Sequence, residues 1–324
     1  MRRRLSIVWS KTAYLFASAA VGGIPGNSKG PTIPAKGYLV QHIDGGLYWL
    51  VANVYQVMFL VSNEGVIVVD APPYNIGDYY LKAISEVTNK VVTHVVYSHD
   101  HLDHIGSSGI FPKNATYIAH KLVADSLSAA KAMATNVSLV PPIPTRTFTK
   151  NLLLTVGNQT LQLAYHGDGH SPGNIFIYAP KQKVLMLVDV IFPGWLPFVQ
   201  LAYASDVLGF IKDHDIVLKY DFKTFIGGHT TRLGTRKDVL VQKQYISDLT
   251  SAARQALDKI PFTLPISLRP WKQYTDYLNA VTETCTKIML RKNWAKKLHG
   301  IIFLNGHCDK MIQNIRIVPR LALT

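Results

Sequence analysis

Cysteine is nearly absent. Cys285 and Cys308 are the only two among 324 residues, too few for a thiolate metal site or a disulfide-dense scaffold. Both lie near the C-terminal end, where an oxidising compartment would let them staple that segment, a pairing that spacing alone does not establish. Acidic residues are also scarce: 20 Asp and Glu face 34 Lys and Arg, for a formal charge of +14, and none precedes Asp44. Such a balance attracts anionic partners without choosing among nucleic acid, membrane surface and acidic substrate. Much of the excess sits at the ends, in Arg2 to Arg4 and in Arg291, Lys292, Lys296 and Lys297 beside Trp294. No RNA-binding pattern of alternating aromatic and basic residues occurs, so no specific nucleic acid is expected. Long apolar runs are missing too. Thr12 to Ala20 falls short of the roughly 20 residues that span a bilayer, and Lys11 prevents its extension.

What is present is enough apolar surface for a sizeable core: 48% of residues are hydrophobic and 17% charged. No internal repeat is evident, and no Pro, Gly or Ser stretch after residue 36 resembles a linker. At the N-terminus, cationic Met1 to Lys11, apolar Thr12 to Ala20 and the small residues Ala17-Ser18-Ala19 describe a secretory signal. Residues 1–23 are therefore expected to be a targeting segment. That predicts a periplasmic or secreted protein with no stable membrane span once the signal is removed; a mitochondrial presequence is the alternative reading.

Tyr55 to Val61 and Val66 to Asp70 read as a hairpin around Ser-Asn-Glu-Gly, Ile76 to Thr88 as an amphipathic helix, and Val91 to Tyr97 as a buried strand. Further strands are expected at Leu152 to Val156, Thr160 to Tyr165, Asn174 to Tyr178 and Val184 to Val188. Helices are expected at Leu122 to Ala134, Asp206 to Lys219, Thr235 to Lys259 and Trp271 to Leu298. Strands mixed with single helices favour two sheets covered by helices over one continuous parallel sheet.

The strongest signal follows the strand ending at Tyr97: Ser98-His99-Asp100-His101-Leu102-Asp103-His104. Two imidazoles spaced by one residue can face one ion, and Asp103 and His104 can serve a neighbouring one. Polar ligands at the C-terminal end of a buried strand are where α/β folds place chemistry. His170, between Gly169 and Ser-Pro-Gly, and His229, after a Gly pair, are further ligand candidates. Asp189 ends an apolar strand. His166 rivals His170, while His42, His94, His120, His214, His299 and His307 lack ligand neighbours and need no function.

The run His-Asp-His-Leu-Asp-His-Ile-Gly resembles the signature of the metallo-β-lactamase superfamily. Asp70 in Asp-Ala-Pro, His170 in Gly-His-Ser-Pro-Gly, Asp189 and His229 in Gly-Gly-His fit its remaining motifs in order. The resemblance implies an α/β fold, an αββα four-layer sandwich of two mixed β-sheets flanked by helices. It implies residues 24–260 as the catalytic domain, with residues 261–324 as a helical extension packed on it. It also implies a first metal on His99, His101 and His170, a second on Asp103, His104 and His229, and Asp189 bridging both; Asp70 would accept a hydrogen bond from a ligand histidine. Two positions depart from the common pattern: Val188 replaces Gly before the bridging Asp, and Asn174 stands where several branches carry a second His.

The implied activity is metal-dependent hydrolysis of a small molecule. A metal-bridging hydroxide would cleave an ester, lactone or lactam bond, with Asp103 as the catalytic residue that orients it and shuttles its proton. Two zinc ions are expected from nitrogen and carboxylate donors, a set that also admits iron or manganese. Phe192 to Phe198 follow the site in sequence and would form an aromatic wall. The alternatives within the superfamily are a mononuclear-iron sulfur dioxygenase and a phosphodiesterase or nuclease; a non-catalytic scaffold is the alternative outside enzymes.

Overall fold

The structure, a computed structural model, describes residues 28–73, 76–262 and 269–318. The targeting segment expected at residues 1–23 lies outside them. Twelve strands form two mixed sheets among the described residues. The first contains β1 (Leu39–Asp44), β2 (Leu47–Ala52), β3 (Tyr55–Val61), β4 (Val66–Val69), β5 (Val92–Val96), β6 (Thr116–His120) and β7 (Arg146–Phe148), side by side in sequence order. Its early strands pair antiparallel and those from β4 onward pair parallel. The second contains β8 (Asn151–Val156), β9 (Gln159–Ala164), β10 (Phe176–Ala179), β11 (Val184–Met186) and β12 (Thr224–Ile226), with β12 added parallel to β11.

Side-chain alternation explains the layering. On β3, Val57 and Phe59 point outward to α1 (Ile76–Ser85) and to the neighbourhood of α3 (Lys121–Met133), while Met58 and Leu60 point inward between the sheets. On β10, Ile177 and Ala179 face the same inter-sheet core, and Phe176 and Tyr178 face the opposite helical layer. That layer holds α5 (Val207–Val217), α6 (Arg236–Lys259), α7 (Pro270–Arg291) and α8 (Leu304–Ile317). Helices therefore cover both outer faces, giving the αββα sandwich. Two short helical turns, α2 (Leu102–Ile105) and α4 (Val199–Ala202), lie in connecting loops. No helix among the described residues is long and apolar enough to cross a membrane.

Two features differ from the sequence reading. The hairpin β1–β2 and the strands β6 and β7 are additional; Asp44-Gly45-Gly46 is the turn signal for the hairpin, with both glycines at positive φ (49° and 86°). The predicted helix Trp271 to Leu298 ends instead at Arg291, because Asn293 adopts a left-handed conformation (φ 59°) and turns Trp294 into the core. A second helix, α8, then returns across α6 and α7, and Cys285 on α7 bonds Cys308 on α8 with their Cα atoms 5.9 Å apart.

Candidate metal centre

β5 releases the chain at Val96, and the next residues are held by backbone contacts rather than by a long element. Ser98 N donates to Asp70 Oδ1 (2.7 Å), and Ile175 N donates to Ser98 O (3.0 Å). Ser98 Oγ lies 2.9 Å from His99 Nδ1, which leaves His99 Nε2 buried with no hydrogen-bond partner. Asp103 and His104 follow on the one-turn helix α2. His170 comes from the loop before β10, Asp189 from the turn three residues after β11, where the strand expected to reach Val188 has already ended at Met186, and His229 from the loop after β12. Asp70, Asp189 and Thr230 all have left-handed φ (55°, 64° and 70°). Such strain in non-glycine residues persists where surrounding structure over-determines it.

The fold brings all seven candidate residues together. His99, His101, His170 and Asp189 form one group, and Asp103, His104, Asp189 and His229 the other, with ligand atoms within 4.8 Å of one another in each. His170 Nε2 lies 3.0 Å from His101 Nδ1, and His104 Nε2 lies 3.0 Å from His229 Nε2. Asp103 Oδ2 is 3.5 Å from His104 Nε2 and 3.6 Å from His229 Nε2. Two imidazoles on one tetrahedral ion, each nitrogen roughly 2.0–2.1 Å from it, stand roughly 3.3–3.4 Å apart. The observed separations straddle that value, and the unpartnered His99 Nε2 faces the same space, so the side chains fit a pair of cations sharing Asp189.

Electrostatics divides the imidazoles. Burial pushes His99 well below its ordinary range, reinforced by His170, His104 and His101, and takes His170 down to about 4 despite Asp189. Burial opposes protonation of His104 and His229 too, but Asp189 and Asp103 outweigh it and lift His229 to about 9. Burial would raise Asp189, yet His104, His229 and His170 hold it well below the usual carboxylate range. Protons thus balance the carboxylates when no cation is bound, and a bound cation would replace them.

Asp70 departs from its expected role. Its Oδ1 holds the Ser98 backbone rather than a ligand imidazole, and its Oδ2 is buried without a hydrogen-bond partner. Burial raises its carboxyl to about 6 against the pull of His104 and Ser98. The two departures from the family pattern meet each other: Asn174 Nδ2 donates to Val188 O (2.9 Å), steadying the turn that presents Asp189. His166 is outside the cluster, 2.9 Å from the Tyr220 hydroxyl.

Sequence reasoning missed Tyr55. Its hydroxyl lies 3.4 Å from Asp103 Oδ2 and its ring 4.7 Å from that of His229, an association across long chain separations that no local motif announces. Of the expected aromatic wall, Phe192 is a core residue stacked 6.1 Å from His229, while half-buried Phe198 stands 4.9 Å from it. A groove of about 570 Å³ between α5 and α6 contains none of the seven residues. Chemistry, not the size of a concavity, locates the site.

These observations define a metal-binding αββα protein. The chain matches the metallo-beta-lactamase superfamily over residues 51–230, which include every member of the cluster, and it belongs to that superfamily. It is 26% identical over 220 residues to the 2,4-dinitroanisole O-demethylase subunit alpha of a Nocardioides species, a match covering 67% of this chain and 63% of that protein's length. It is 26% identical over 181 residues to the metallo-beta-lactamase type 2 of Elizabethkingia meningoseptica, covering 53% and 67% of the two chains. Among solved structures, the metallo-beta-lactamase from Pontibacter korlensis superposes with a TM-score of 0.56 at 17% identity, over 65% of this chain and 99% of that one. That last likeness is one of fold.

Proposed function

We propose that the protein is a dinuclear zinc hydrolase that cleaves an ester, lactone or lactam bond in a small molecule. Asp189 carries the reading. Its Oδ2 lies 3.0 Å from His104, 3.3 Å from His170 and 3.6 Å from His99, and its Oδ1 lies 3.1 Å from His229, so one buried carboxylate serves both groups. Five imidazoles and two carboxylates, with no thiolate, suit zinc. Two divalent cations bound there supply Lewis acidity and a water that ionises near neutral pH.

The protein's own part is positional. Burial would raise Asp103, but His104 and His229 keep it ionised, at about 2. Its side chain is 37% exposed, so the carboxylate faces both the site and incoming substrate, where it can hold a water and pass its proton to the leaving group. Tyr55 donates to Oδ2 of that carboxylate and restricts its rotation. Metal analysis of natively purified protein should give two zincs per chain. Asp103→Asn, with both ions retained, should lose roughly a hundredfold or more in hydrolytic rate. Near-wild-type turnover in that variant, or one iron per chain with oxygen consumption, would overturn the assignment.

An aryl ether is a second bond class for the same site, favoured by the aromatic ring of Phe198 beside His229 and by the similarity to the dinitroanisole demethylase subunit. Water would add at the ring carbon and an alcohol would leave, so a nitroanisole belongs in the substrate panel. We further place the protein in the periplasm or outside the cell, supported by the Cys285–Cys308 disulfide. N-terminal sequencing of protein from the native host tests this; an intact Met1 would refute it.

A further inference from the structure

The segment from Phe192 to Asp206 links the two halves of the centre. Phe198 stands against His229 at one end, and at the other Ser205 N donates to His170 O (2.9 Å) and Asp206 N to Gly169 O (3.0 Å). Between them Gln200, Leu201, Ala202 and Tyr203 all have φ between 51° and 57°. A left-handed turn of four consecutive L-residues is disfavoured at every position and survives only where neighbours enforce it.

The neighbours belong to the C-terminal region, beyond the superfamily match that ends at residue 230. Buried His307 on α8 has Nε2 3.0 Å from Phe198 O and Nδ1 2.6 Å from the Tyr245 hydroxyl. A carbonyl can only accept, so Nε2 carries the hydrogen and Nδ1 accepts from Tyr245. Burial keeps this imidazole neutral, pushed down to about 4, which suits that tautomer. Phe303, just before α8, places its ring 5.7 Å from Phe198. Phe198 and Phe303 are half-buried, and Val199 and Tyr203 are exposed, so the wall is open to solvent.

We propose that Phe198 and Phe303, held in place by His307, form a subsite beside His229 that selects substrates carrying a flat, apolar group, which makes α8 the specificity-determining part of the protein. Aromatic faces complement such groups. The inference rests on the metal-centre reading, deepens it by naming the substrate class, and makes His307 a positioning residue acting through the Phe198 carbonyl.

Cobalt-loaded protein tests it without turnover. Visible d–d bands report cobalt occupancy, and the sulfur-to-cobalt absorption reports binding of two probe thiols, ethanethiol and phenylmethanethiol. Wild-type protein should bind phenylmethanethiol roughly tenfold more tightly than ethanethiol. Phe303→Ala and His307→Asn should lose most of the phenyl preference with unchanged d–d bands. His307→Gln, whose amide nitrogen reaches the Nε2 position, should keep it. An undiminished preference in Phe303→Ala, or equal behaviour of the two His307 variants, would overturn the proposal. Failure of wild-type protein to develop cobalt bands would overturn the metal-centre reading together with it.

Discussion

Replacing Cys285 and Cys308 together tests the architecture around α8. The bond closes a sequence separation of 23 residues. Treating its effect as lost loop entropy in the unfolded chain gives about 3 kcal/mol at 25 °C. Unfolding 324 residues carries an entropy of roughly 0.7 kcal/mol/K, so the crosslink alone should be worth about 5 °C in Tm. Both cysteines are fully buried between α7 and α8. The double Ala variant should therefore fall further, by about another 1 kcal/mol for the lost packing. Calorimetry of oxidised wild type, of wild type reduced to two titrated thiols, and of Cys285→Ala/Cys308→Ala separates the two contributions. A fully reduced wild type melting within about 1 °C of the oxidised protein would refute the loop-entropy argument.

Two further expectations concern the loop that carries His170. Asp213 on α5 is buried with its Oδ2 close against Gly169, and burial, followed by the charge of Asp206, pushes its carboxyl to about 8. The unfolded chain ionises near 3.8 while the native protein stays protonated, so the unfolded state binds fewer protons and stability drops as pH rises from about 4 to about 8. Asp213→Asn should remove that loss, raising urea stability by about 1 kcal/mol or more at pH 7.5 and by little at pH 4.5; an unaltered pH profile would sink this account. At Gly209, an added Cβ would fall 1.7 Å from the backbone oxygen of Asp168. Gly209→Ala should cost about 1–3 kcal/mol and lower metal content by displacing the neighbouring His170, a prediction that fails if Tm and metal stoichiometry both match wild type.

The ligands were legible because His99, His101, Asp103 and His104 crowd into six residues after a strand whose apolar run is unmistakable. The Gly-flanked His170 and His229 carried their own local marks. Tyr55 and His307 carried none: each works through a partner far along the chain, Asp103 for Tyr55 and Phe198 for His307. Asp70 shows the converse, since its place in a motif pointed to a ligand histidine and packing gave it the Ser98 backbone instead.

Local sequence determined the donor chemistry, the alternating strands and the order of the elements, because residue type and spacing act over a few neighbouring positions. The tertiary structure decided that one carboxylate, Asp189, faces both histidine groups and that a C-terminal helix shapes the wall beside them. Those contacts join segments separated by tens to more than a hundred residues, and only the packing of two sheets and their helices brings them within hydrogen-bonding distance.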